Sequence, residues 1–124
     1  MKTLLIILLA LSLQMCVTKP QTEQKGCFTG KLVKRGICGQ RVVQLVSEPR
    51  EGIAFAANWT DSLSGKQYEK VFAVANSCDF PVSVKEGDTF SFTLTTTSAS
   101  DCIQCYAYTP MPGEKNNVMV GCAK

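Results

Sequence analysis

The sequence predicts an all-β domain, a small Greek-key barrel of five to six strands, and three observations carry that prediction. Beyond residue 26 the apolar residues come in short runs separated by Gly, Pro, Asn and Asp, without a 3.6-residue repeat. The clearest run alternates strictly, with Phe90, Phe92 and Leu94 on one side and Thr89, Ser91, Thr93 and Thr95 on the other. The chain also carries seven cysteines, a covalent supplement suited to a domain of about 100 residues with a modest core.

The elements follow in chain order. Lys2 and the uncharged run Leu4 to Leu13 have the make-up of a secretory signal helix. The run is too short to span a bilayer, which takes about 20 apolar residues. Residues 1–16 are therefore assigned to a signal peptide with cleavage near Cys16, residues 17–26 to a flexible tether and residues 27–124 to the β domain. Phe28 to Arg35, the Val-rich Gln40 to Ser47 and Tyr68 to Ala75 are strand candidates. Glu86-Gly87-Asp88 is a turn leading into the alternating run, and Ile103 to Tyr108 and Val118 to Cys122 complete the set. Pro49 to Gln67 is expected to lie outside the sheet, with a short helical turn. A closed barrel would remove exposed edges, and a chain of this size and pattern resembles the OB-fold.

Composition narrows the function classes. There is no histidine, which removes His-dependent triads, His-rich zinc sites and His proton shuttles. No cofactor or metal is expected, and no enzyme activity. Without Lys2 the chain carries twelve cationic against ten anionic side chains, too even a balance to point to nucleic acid.

Cys27, Cys38, Cys78, Cys102, Cys105 and Cys122 are an even set in an oxidising compartment and read as structural disulfides of open connectivity. Cys102 and Cys105 also form a C-x-x-C pair. In an extended segment such a pair lies about 10 Å apart at the α-carbons, beyond the reach of a mutual disulfide. A helix to activate the first thiolate is missing from the pattern, because Pro110 and Pro112 follow closely. Thiol-redox or metal-handling chemistry at this pair is the alternative function.

Other residues invite a binding role. Lys31, Lys34, Arg35 and Arg41 surround the first hairpin, where an OB-like face could meet a glycan or an oligonucleotide. A solvated strand face is the plainer explanation. Trp59 stands in a polar stretch, NWTDSLSG, and is expected to plug one end of the barrel or to contact a ligand. Asp79, Glu86, Asp88 and Asp101 fall near turns, where acids cap backbone groups more often than they catalyse.

The segments GCFTGKLVKRGICGQRVVQL, VFAVANSCDFP, KEGDTFSF and CIQCYAYTPMP, in that order, resemble a group of small cysteine-containing exported proteins and lipoproteins of Bacteroidota-type bacteria. The resemblance implies a signal-directed, envelope-located β domain and lends no catalytic or binding residues. It returns weight to LSLQMCVTKP. Leu13 stands three before Cys16, as an aliphatic residue does in a lipoprotein signal, although Met15 departs from the small residue expected there. Cys16 is accordingly the expected lipidation site, anchoring the protein to the outer membrane or the periplasmic face, with simple secretion as the other outcome. An envelope protein or a glycan is the expected partner.

Overall fold

A computed structural model describes residues 26–96 and 108–122. The leader, Cys16, the tether through residue 25, and the Asp101-Cys102-x-x-Cys105 segment lie outside the described residues. Among the described residues no helix is long and apolar enough to cross a membrane.

The described chain is all-β. It has seven strands in one sheet: β1 (Cys27–Arg35), β2 (Arg41–Leu45), β3 (Ala56–Thr60), β4 (Gln67–Val74), β5 (Thr89–Leu94), β6 (Lys115–Asn116) and β7 (Val118–Val120). A single 3-10 turn occupies Ser77–Asp79. The ladder order is β3-β4-β2-β1-β5-β7, and β6 pairs with β4. Every ladder is antiparallel except the two-residue parallel rung between β4 and β6.

Three expectations need correction. The sheet does not close into a barrel; its path ends at β3 and β7, and the short β6 rung is what links the last segment to β4. The described residues hold seven strands rather than five or six: β3 and β6 lie outside the strand candidates, and the candidate Ile103 to Tyr108, but for Tyr108, lies outside the described residues. The Pro49-to-Gln67 stretch is not an excursion outside the sheet, since β3 lies within it and pairs with β4.

Alternation places the core. Phe28, Leu32, Val43, Leu45, Phe72, Val74, Phe80, Phe92 and Val118 form one buried cluster. Phe92 is its centre, with ring centroids 5.4 Å from Phe28, 5.7 Å from Phe72 and 5.9 Å from Phe90. Burying such a side chain contributes about 1.5–3 kcal/mol. Gly30 belongs to this packing: a Cβ there would stand 2.7 Å from Val43 Cγ1 and 3.0 Å from Phe92 Cε1. Cys27 and Cys122 form a disulfide with Cα atoms 5.8 Å apart, joining the start of β1 to the segment that follows β7. Cys38 and Cys78 are disulfide-bonded as well.

Two irregularities shape the site. A bulge between Leu32 and Lys34 shifts the β1–β2 register, and a bulge re-aims the side chains that follow it. In β4, Lys70 has φ 52°, a left-handed conformation that costs a lysine about 1 kcal/mol or more. It divides the strand: Gln67–Lys70 is exposed or half-buried, whereas Val71–Val74 is wholly buried.

Candidate ligand site on the third and fourth strands

β3 and the first half of β4 form a two-stranded arm closed by the turn Asp61–Lys66. Asp61 builds that turn. Its Oδ1 accepts the Leu63 N–H at 3.1 Å and its Oδ2 accepts the Ser64 hydroxyl at 3.0 Å, as an Asx turn requires. Its backbone N–H donates to Lys66 O at 2.9 Å.

The arm presents two sets of side chains. Trp59 faces Tyr68 across the ladder, and the rings stack at 6.0 Å with an interplanar angle of 23°, a cross-strand aromatic pair of the stabilising kind. Asn58 faces Glu69 and Thr60 faces Gln67. A cleft of about 470 Å³ is lined by Gln44, Asn58, Trp59, Thr60, Gln67, Tyr68 and Glu69. Gln44 extends from the end of β2, and its Nε2 donates to Glu69 O at 3.1 Å, bringing the polar tip of β2 to the arm.

Lys34 ties the arm to β1. Its Nζ lies 3.0 Å from Asp61 Oδ1, donates to Pro110 O at 3.3 Å, and stands 5.6 Å from the Trp59 ring centroid. Burial works against ionisation of Asp61. The Lys34 ammonium and the Leu63 and Ser64 donors outweigh it, and the carboxyl is held below its usual range. The charge of Lys34 is thus committed inside the protein.

The four cations around the first hairpin are placed differently from one another, with Lys31 exposed on β1. Arg35 is exposed, and its backbone N–H donates to Glu86 Oε1 at 2.7 Å. Arg41 is only 3% exposed, which contradicts a solvated face. Its Nη1 donates to Gly39 O at 2.7 Å and Ser77 O at 3.1 Å, and its guanidinium lies 4.9 Å from the Phe80 ring centroid. Burial, followed by the nearby Arg35 charge, pulls its pKa down, yet an arginine keeps its proton at physiological pH. Of the four suggested contact residues, the structure brings together Trp59 and Lys34. Trp59 is not a barrel plug; it is half-buried on an edge strand.

Two of the turn acids cap backbone groups: Glu86 takes the Arg35 N–H, and Asp88 Oδ2 takes the Lys85 N–H at 2.9 Å; Asp79 Oδ2 accepts from Asn76 Nδ2 at 3.3 Å. Among the described residues no cluster of His, Cys, Asp or Glu could hold a metal ion. Sequence reasoning missed Gln44, Asn58, Gln67, Tyr68 and Glu69. The signal that could have found them is the turn-rich DSLSGK between an NWT and a QYE of matched length, the mark of a hairpin. Comparison of the chain with protein-family models, with curated proteins and with solved structures finds no match.

Proposed function

We propose that this chain is an exported, non-enzymatic binding module whose β3–β4 arm takes an uncharged, hydroxyl-rich ligand of the glycan class. The observation that carries the reading is the make-up of the arm cleft: three amides, a hydroxyl, a carboxylate and two aromatic residues, with no Lys or Arg in its lining. Amides and carboxylates match sugar hydroxyls as donors and acceptors, and aromatic bodies offer the apolar area that ligand sites need. The absence of cations from the lining, and the commitment of Lys34 to Asp61, disfavour a phosphate backbone.

Export with a lipid anchor at Cys16 is the accompanying proposal for location, supported by the apolar leader and the disulfides. The mass of the mature N-terminal peptide from the native host tests it: an acylated Cys16 upholds the anchor, and cleavage beyond Cys16 refutes it.

Trp59 is the chain's single tryptophan, so its fluorescence reads the arm directly. Titration with neutral oligosaccharides should give a saturable change that is insensitive to salt and is lost in Gln67→Ala. Silence across the neutral panel, or a response confined to oligonucleotides and steep in salt, would refute the glycan reading.

A further inference from the structure

β3 stands at the end of the ladder order. The turn hydrogen bond from Asp61 N–H to Lys66 O fixes which backbone groups of β3 face outward. In an antiparallel ladder the paired and outward residues alternate. Trp59 therefore turns its N–H and C=O toward Tyr68, while Asn58 and Thr60 turn theirs away from β4. Before β3 begins, β6 takes the place of β3 beside β4, and the Asn116 side chain bonds both backbone groups of Ala54. Among the described residues no strand pairs with the outer edge of β3, and Asn58 and Thr60 are exposed.

Exposed edges are commonly guarded by charges, prolines or bulges. β3, Ala-Ala-Asn-Trp-Thr, has no charge and no proline, and its register with β4 is regular. From this unguarded edge we infer that β3 pairs with β3 of a second copy, antiparallel about a twofold axis at Asn58. A neutral strand meets its like without charge repulsion, and the register is complementary in size. Trp59, half-buried, comes opposite the exposed Ala57 of the second copy, and Thr60 comes opposite Ala56. The small alanine leaves room for the indole, whose remaining apolar surface is then covered. The isologous contact closes on itself as a dimer, and main-chain bonds supply affinity as in other strand additions. Side chains project from the sheet faces rather than from its edge, so pairing leaves the arm clefts of the two copies side by side.

Sedimentation equilibrium of the full chain over a range of concentrations tests the inference, with Trp59 emission followed in parallel. A reversible monomer–dimer equilibrium with a blue shift on association is expected. Ala57→Asp, which sets a carboxylate against the electron-rich face of the second copy's indole, and Asn58→Pro, which removes an outward N–H, should each weaken association by about tenfold or more. A cooperative thermal transition like that of the wild type establishes that each variant has folded. A wild-type chain that stays monomeric at all concentrations would overturn the inference. So would association that survives Ala57→Asp unchanged, which also identifies any contribution from the apolar leader.

Discussion

The side-chain amide of Asn116 forms a reciprocal pair with the backbone of Ala54: its Oδ1 accepts the Ala54 N–H at 3.0 Å and its Nδ2 donates to Ala54 O at 2.6 Å. One side chain thereby supplies what a neighbouring strand would. It does so where β4 passes from its antiparallel partner β3 to its parallel partner β6. Asn76 repeats the device with Val118, donating to its carbonyl and accepting its N–H, both at 2.8 Å. These two buried amides satisfy backbone groups at the places where the ladders of the sheet give out.

Replacing either amide should be costly out of proportion to its size. Asn76→Ala and Asn116→Ala each strand a backbone donor and an acceptor, and the expected loss is about 1–3 kcal/mol apiece. Aspartate keeps the acceptor but loses the donor, so Asn→Asp should not rescue. Urea denaturation with an unchanged m-value and a lowered midpoint would show it.

The covalent clasp between the two ends of the described domain should matter as much. Cys27 and Cys122 are 95 residues apart in sequence, and the Cys27→Ala, Cys122→Ala double variant is expected to lose about 2–5 kcal/mol. Alkylation of the unreduced native protein should leave Cys27, Cys38, Cys78 and Cys122 unmodified in a peptide map, and labelling of any of them would contradict the structure.

Acid should release the arm. The Asp61 carboxyl has its pKa lowered in the folded chain, so its contribution is fully present above the unfolded value of about 3.9 and is lost as pH falls through the lower folded value. Asp61→Asn should flatten the acid limb of the stability curve. Lys34→Met, which removes the charged donor, should cost about 1.5–3 kcal/mol near neutrality. Thermal unfolding across the acid range separates these outcomes.

Gly30→Ala tests the core. The added methyl would meet Val43 and Phe92 at distances that force both to move, and overpacking of this kind costs about 1–3 kcal/mol. A variant as stable as the wild type would show that the centre of the cluster has slack.

Much of the sheet was legible because it is two-faced. The Phe90–Phe92–Leu94 alternation is β5, and the apolar runs around Leu32, Val43 and Phe72 are β1, β2 and β4. β3 was illegible for a physical reason: an edge strand need not bury a face, so Ala-Ala-Asn carries no period to read. The open sheet was hidden by chemistry rather than pattern. Asn76 and Asn116 have the composition of turn residues, yet both are buried and act as strand substitutes. Arg41 was misplaced because charge usually signals solvent, whereas here two carbonyls and the Phe80 ring receive it. Trp59 was singled out as anomalous in a polar stretch, and the anomaly marked the arm although not its geometry.

Lys70 sets two halves of one strand on different clocks. Its left-handed backbone separates the wholly buried Val71–Val74 from the exposed and half-buried residues that pair only with β3. Segments with few buried contacts open locally, at a fraction of the free energy of global unfolding. In native-state hydrogen exchange the Trp59 and Tyr68 amides should therefore exchange through arm opening, largely independent of denaturant. Those of Val71 to Val74 should wait for the whole domain to unfold. The arm is thus a separately breathing unit on a rigid base, able to change shape without loosening the core beneath it.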